Sequence, residues 1–415
     1  MNTLIVYLNA ARVGCLEQDD SGLLQFSYDR VWLENPNAIP LSRSLPLRGK
    51  VFPGKKARPF FAGILPEEGP RKKIAEILGI SDTNDFAMLE RIGGECAGAV
   101  SLFPQGTVPP DPNGIRNREL TEPELRKIIA ELPGRPLLVG MEGLRLSLAG
   151  AQDKLPIIAR NNGIFLPLGD TPSTHILKPE PDRFPGLAAN EVFCMTLARS
   201  VGLNASNTEY RLIGEKPCIL VQRYDRATDE DGRTTRLHQE DFCQALGFPP
   251  ERKYQAEGGP MLSDCILLLR DWSTVPVLDI PGFIDALIFN VLIGNADAHG
   301  KNYSFLYSGS DRRLAPYYDL VSTLAWPNLS RNIAMKIGGC KSVNVFTIAD
   351  WKKLAMKSHL GWPMIRERMA ESCHNILQEL GGVQDRTIKY NEAMVKLLHE
   401  TIGERATRML KALFV

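Results

Sequence analysis

"IGNADAHGKNYS", residues 293–304, closes the most apolar run of the chain, "IPGFIDALIFNVLIG" (280–294). Asp297, His299, Lys301 and Asn302 crowd the end of a segment otherwise composed for burial. Asp297 and Asn302 stand five positions apart, and a loop of that length lets both side chains converge on one point. One can take a proton from a hydroxyl while the other helps to hold a magnesium ion. Lys301 can then steady the charge of a transferred phosphoryl group. The competing reading is an ordinary polar loop after a helix, because this spacing recurs by chance.

The neighbouring sequence decides between the two. D-x-x-x-x-N is the catalytic-loop spacing of protein kinases, which needs a second carboxylate further along for the metal. Asp319, in "LAPYYDLVS" (314–322), lies seventeen positions after Asn302 and fits that place, although no Asp-Phe-Gly is present. Upstream, "THILKPE" (174–180) reads as a strand with Lys178 near its end. Glu191 falls in the first turn of the next helix behind Asn190, a candidate cap, so strand lysine and helix glutamate can form the ion pair that positions phosphates. His175 reads as structural.

"LSLAGAQDK" (146–154) supplies small residues that let a backbone approach a phosphate: Leu148, Ala149, Gly150, Ala151 and Gln152 form the loop. Lys154 is a further phosphate contact, and Ser147 reads as an exposed hydroxyl. "ILVQRYDR" (219–226) joins the strand-rich stretch to the helical one, as a hinge would. There the backbone of Gln222 and Tyr224 can hold an adenine, and Asp225 can reach the ribose. Each signal is modest alone, but their order is the one a kinase fold requires.

Bulk properties agree. At 415 residues the chain exceeds one ordinary core, so two or three domains are expected. A net charge of +1 gives no general case for nucleic acid or membrane. The N-terminal "MNTLIVYLNAARVG" alternates like a strand and lacks the basic start of a secretory signal. The apolar run at 280–294 is interrupted by Asp285 and Asn290 and reads as too short and polar to span a bilayer. Eight scattered cysteines without a CxxC pair argue against zinc ribbons and disulfide frameworks, and for a reduced, cytoplasmic protein.

The expected architecture is α+β: a protein-kinase-like bilobed fold, with a strand-rich N-lobe and an all-helical C-lobe, carrying an additional small α+β domain at its N-terminus. Residues 1–105 would form the first domain, 106–226 the N-lobe with the phosphate loop, and 227–415 the C-lobe. The Pro/Gly-rich "PQGTVPPDPNGIR" (104–116) reads as the linker between the first two. Thr121, with Glu124 three residues on, has the spacing of a helix capping box. "QEDFCQALG" (239–247) reads mainly as a structural helix of the last lobe.

These stretches resemble the HipA family of bacterial serine/threonine kinase toxins over nearly the full length. "PFFAGILPEEGPR" and "IGGECAGAVSLFP" look like its N-terminal domain. "SLAGAQDKLP", "HILKP", "NEVFCMTLA", "RYDR", "GNADAHGKNYS" and "YYDLVS" look like its kinase core. The resemblance implies ATP- and Mg2+-dependent phosphorylation of a protein, with Asp297 as catalytic base and Asn302 and Asp319 on the metal. It implies that Lys178 and the loop Leu148–Gln152 bind phosphates, with His299 near them. It implies that Ser147 is autophosphorylated, which ejects the loop and silences the enzyme. The implied partners are a HipB-like helix-turn-helix antitoxin, which contributes most operator DNA contacts, and a protein substrate such as an aminoacyl-tRNA synthetase. Two other readings remain open: a small-molecule phosphotransferase, and an inactive kinase fold that serves as co-repressor.

Overall fold

A computed structural model describes residues 2–107, 116–160, 163–230 and 232–414. The linker read at 104–116 falls largely outside the described residues. The first sheet is antiparallel, in the order β4-β3-β2-β1-β5, from β1 (Asn2–Leu8), β2 (Ala11–Gln18), β3 (Leu24–Tyr28), β4 (Phe52–Pro53) and β5 (Val100–Pro104). Alternation drives it: Leu24, Phe26 and Tyr28 face inward while Gln25 and Ser27 are half-buried. Helices α1 (Arg30–Leu33), α2 (Gly54–Gly63), α3 (Glu68–Leu78) and α4 (Asp85–Ile92) complete this unit.

The second sheet is also antiparallel, in the order β10-β11-β9-β7-β8-β6. Its strands are β6 (Arg116–Leu120), β7 (Leu155–Arg160), β8 (Gly163–Leu168), β9 (His175–Pro179), β10 (Thr208–Ile213) and β11 (Lys216–Gln222). Helix α5 (Glu122–Glu131) starts at the Thr121 capping box, with both reciprocal hydrogen bonds made. "LRLSLAG" (144–150) is irregular and makes only two isolated bridges, Glu95–Leu146 and Pro66–Gly150. Its backbone pairs with the first unit instead of with a sheet neighbour. The two sheets share one hydrophobic core, in which Leu102 and Phe86 join Leu155, Leu177 and Leu220.

Helix α6 (Leu187–Ser200) stitches the lobes together. Val192 packs on Ile219 and Val221 of β11, while Phe193, Met195 and Leu197 enter the helical core. The helix is capped at Gly186, so Asn190 is not its cap and Glu191 lies beyond the first turn. Asn190 instead donates to the Ser322 carbonyl and accepts from the Ser322 N–H, at 3.1 and 2.9 Å.

The last lobe is built on α7 (Phe242–Leu246), α8 (Leu262–Trp272), α9 (Pro276–Ile293), α10 (Ile348–Lys357), α11 (Trp362–Thr387) and α12 (Glu392–Ala412). It is not wholly helical. A hairpin of β12 (Arg226–Thr228) and β13 (Thr234–Arg236) opens it. A three-stranded sheet follows, β14 (Gln239–Asp241), β15 (Ser304–Ser308) and β16 (Asp311–Leu314), and then the pair β17 (Asn332–Ile337) and β18 (Cys340–Ser342). The turn out of "GNADAHGKNYS" needs β15 to return the chain, and "QED" of the expected helix is its strand partner. Helix α9 is long and apolar enough to cross a membrane by composition, but Phe283, Ile284, Ile288, Leu292 and Ile293 are buried in the lobe's core.

Candidate active site

A cleft of about 850 Å³ separates the two lobes, and nearly all the residues singled out in the sequence line it. Pairing between β9 and β11 aligns Lys178 with Ile219 and turns the lysine into the cleft. Its ammonium donates to Glu191 at 2.8 Å and to Asp319 at 3.1 Å. Burial would lower the lysine's pKa, but the Asp319 and Glu191 carboxylates outweigh it and hold the group charged.

Two residues before Asp319, Tyr317 is anchored by its hydroxyl to the Gly282 carbonyl of α9. The φ of +60° at Asp319 lies in the left-handed region, a backbone strain that aspartate tolerates better than most residues. The Lys178 charge lowers the Asp319 carboxyl to about 2 against the pull of burial. Asn302 donates from Nδ2 to the second Asp319 oxygen at 3.2 Å, so Lys178, Asp319 and Asn302 meet directly.

The loop after α9 is held by its own asparagines. Gly294, at φ +75°, ends the helix in a left-handed turn. Asn295 donates to Asn290 Oδ1 and accepts from the Asp297 N–H, at 2.8 and 2.9 Å. Asn302 Oδ1 accepts from the His299 N–H at 3.0 Å. Asp297 opens toward the cleft mouth. The loss of solvent among the cleft walls raises its carboxyl to about 6, while a hydrogen bond from Tyr254 partly opposes this. His299 is buried, which lowers its imidazole to about 4, and its Nδ1 has no hydrogen-bond partner.

The loop Leu148–Gln152 covers the other side of the cleft. Gly150 adopts φ +109°, and a Cβ there would lie 2.4 Å from Lys154 Nζ. That ammonium donates to the Ala149 carbonyl at 2.6 Å. Burial lowers Lys154 to about 8, with Lys178 adding repulsion. Gln152 donates to the Pro179 carbonyl at 3.3 Å.

Several expected roles change in three dimensions. Ser147 is fully buried rather than exposed, and its hydroxyl donates to the Ile64 carbonyl at 2.9 Å. Lys301 does not reach toward a transferred phosphoryl. It donates to Asp241 and to the Gly63 carbonyl at 2.8 and 2.9 Å, with Glu67 at 3.6 Å, because the loop must be tied to the first domain. Asp225 lines the cleft, but its carboxylate is already paired. It accepts from Arg223 and from the Gly98 N–H at 2.8 and 2.6 Å, as part of a buried ionic cluster. Gln222 is exposed, and its N–H donates to the Asn207 carbonyl at 2.9 Å. Tyr224 stacks on Tyr318, with ring centres 5.5 Å apart.

Sequence reasoning missed Glu67, Asp241, Lys253 and Tyr254, which reach the cleft from three separate segments. Burial alone would raise Glu67, but Lys301 and Lys253 bring its carboxyl to about 2. It also missed Glu95, the hub of the ionic cluster. No spacing rule links these residues to the loop, because the nearest of them, Tyr254, is forty-three positions from Asp297.

The fold and site define a bilobed kinase, with its ion pair, loop and late carboxylate gathered in the cleft between the lobes. Comparison with known proteins then gives the lineage. A family model described as the HipA N-terminal domain matches residues 4–103, and one described as the HipA-like C-terminal domain matches residues 146–383. "Putative kinase Y4mE" of Sinorhizobium fredii is 42% identical over 411 residues, 98% of either chain. The serine/threonine-protein kinase toxin HipA of Shewanella oneidensis is 31% identical over 347 residues, 81% of this chain and 78% of that one. The solved complex of Shewanella oneidensis HipA with HipB and its operator DNA superposes with a TM-score of 0.88 at 27% identity, covering 100% of both chains. The chain belongs to the HipA family and is an enzyme of the serine/threonine-protein kinase class.

Proposed function

We propose that this protein is the kinase toxin of a HipBA-like toxin–antitoxin module, using ATP and Mg2+ to phosphorylate a protein on serine or threonine. The carrying observation is the direct meeting of Lys178, Glu191, Asp319 and Asn302 beside Asp297 in one cleft. The cleft volume suits a nucleotide. Two features fit phosphate in particular: the unpartnered His299 Nδ1, and the tight glycine backbone at Gly150.

In this reading Asp297 orients the acceptor hydroxyl and takes its proton as the bond to phosphorus forms. Lys178, held by Glu191, offsets charge on the phosphoryl oxygens, joined by Lys154 and the N–H groups of Leu148–Gln152. Asp319 and Asn302 would hold magnesium, which supplies further charge neutralisation when bound. Two protein ligands suffice, because this ion keeps waters and substrate phosphates as its remaining ligands. The backbone at Tyr224 is the hinge contact for adenine. Lys301 is a positioning residue that fixes the loop to Asp241 and the first domain.

Ser147 is the proposed autophosphorylation site. Its hydroxyl is buried against Ile64, so transfer requires the loop to leave that seat first. The Shewanella oneidensis complex supports a HipB-like antitoxin and operator DNA as partners. The proposed substrate is a translation component such as an aminoacyl-tRNA synthetase, and the proposed location is the cytoplasm. Intact-mass spectrometry after incubation with magnesium and ATP tests the reading, with Asp297→Asn as control. A phosphate gained by the wild type alone supports it. ATP binding with no transfer to itself or to any protein would point to the co-repressor alternative.

A further inference from the structure

Asp297 already carries a hydroxyl. Tyr254 donates to its Oδ1 at 2.8 Å. A substrate hydroxyl must sit in the same relation to a general base, within about 2.6–3.2 Å and donating. Tyr254 comes from outside the loop, from the segment between α7 and α8.

That segment is held at several points. The Tyr254 ring stands edge-on to His299, with centres 5.3 Å apart at 77°. The Tyr254 carbonyl accepts from the N–H groups of Glu257 and Gly259 at 3.0 and 2.9 Å. The next residue, Gln255, accepts from the Lys336 N–H of β17 at 2.7 Å. The preceding Lys253 donates to Glu67 at 2.8 Å, tying the segment to the first domain. The phenol is thus delivered to the base by three parts of the protein, and this is not the random reach of a surface side chain.

We infer that Tyr254 is an acceptor-site gate, whose hydroxyl holds the substrate's place at Asp297 until an acceptor displaces it. The inference rests on the reading of Asp297 as the base. A hydrogen bond to a carboxylate is worth a factor of roughly ten to a hundred in an equilibrium constant. Water at its own local position competes poorly against such a tethered donor. The gate therefore suppresses transfer to water, in which a water oxygen bonds to the γ-phosphorus, the bond to the ADP oxygen breaks, and the water proton passes to Asp297. A protein acceptor, whose binding surface brings further contacts, supplies what displaces the phenol.

The test is phosphate release from magnesium ATP by the full chain without protein acceptor, in mildly alkaline buffer where the Asp297 carboxylate is ionised. Wild type, Tyr254→Phe, Asp297→Asn and the double variant are compared. Tyr254→Phe keeps the ring against His299 and removes only the hydroxyl. The gate predicts a rise of roughly tenfold in Tyr254→Phe, abolished in the double variant. A gain is a result that mere structural damage does not give. If Tyr254→Phe hydrolyses ATP no faster than wild type while Asp297→Asn is slower, the gate is wrong and the base assignment stands. If none of the four proteins releases phosphate, the predicted gain is missing and the gate is wrong; if turnover ignores Asp297→Asn, the base reading fails and the gate falls with it.

Discussion

Replacing Glu95 by Gln tests the junction that holds the hinge. Glu95 is 1% exposed and accepts from three arginines: Arg226 at 2.8 Å, Arg236 at 2.6 Å and Arg223 at 3.4 Å. The Ser173 N–H and hydroxyl donate to the same carboxylate at 3.0 and 2.8 Å. Asp225 is the second anion, so three buried cations face two carboxylates. Burial would raise Glu95, yet Arg226, Arg236 and Arg223 hold it far below the usual carboxylate range. Glutamine removes one anion and turns an NH2 group toward guanidinium donors. Breaking a buried ionic arrangement from one side costs about 3–5 kcal/mol. The strand-to-hinge segment Arg223–Arg226 should loosen first, so ATP affinity should drop together with the unfolding midpoint in urea. The sign with pH also follows. A folded pKa below the unfolded value of 4.5 gives stability that is present above that value and lost as pH falls. The gap between Glu95→Gln and wild type should therefore be full at neutral pH and narrow below about pH 4.5. Urea and ATP titrations check this, and a loss under about 1 kcal/mol at neutral pH would show that the cluster is not a stabilising hub.

Three other outcomes are expected. The Asp297 carboxyl, raised to about 6 by burial, must be ionised to accept a proton, so kcat/KM should rise with pH through about 6 and then level. A steady-state pH profile on autophosphorylation or hydrolysis reads this directly. Gly150→Ala forces a side chain into φ +109° and against Lys154, which should weaken ATP binding by about 1–3 kcal/mol while the melting temperature changes little. Glu240 accepts from the Ser42 hydroxyl, the Arg43 N–H and the Tyr307 hydroxyl, and burial raises it to about 7. A folded pKa above the unfolded 4.5 gives stability that is full at low pH and lost as pH rises through 7, so contacts between the first domain and β14 should become more protease-sensitive across that range. Limited proteolysis of wild type and Glu240→Gln should show this dependence in the wild type alone.

The local signals in the chain were read well where neighbours in sequence do the work. The strand readings of the N-terminal stretch and of "THILKPE" marked β1 and β9, and the capping box at Thr121 marked the start of α5. The order of Lys178, Glu191, Asp297, Asn302 and Asp319 placed the cleft, because residues at the ends of successive elements converge when those elements pack. Other elements escaped, among them β2, α11 and the strands β12 to β18 of a lobe expected to be all-helical. β2 is a strand only because β1 and β3 flank it, with Cys15 and Leu16 facing Ile5 and Leu4. Helix α11, with 26 residues, carries polar side chains along most of its length and shows its apolar stripe of Met369, Cys373, Ile376, Leu380 and Val383 only against the packed lobe.

What the sequence determined by itself was therefore the set of chemically equipped segments and their sequence along a kinase-like fold. Tertiary structure alone decided which charges were free to act. Lys301 and Asp225 carry the residue types of a catalytic site, but burial beside Asp241, Glu67 and Arg223 binds them to partners that lie 60, 234 and 2 positions away. Ser147 lost its exposure to a carbonyl of the first domain, and Asp297 gained the hydroxyl of Tyr254. A buried charge or donor must be paired wherever the fold offers a partner, and that partner is set by packing across the whole chain rather than by spacing along it.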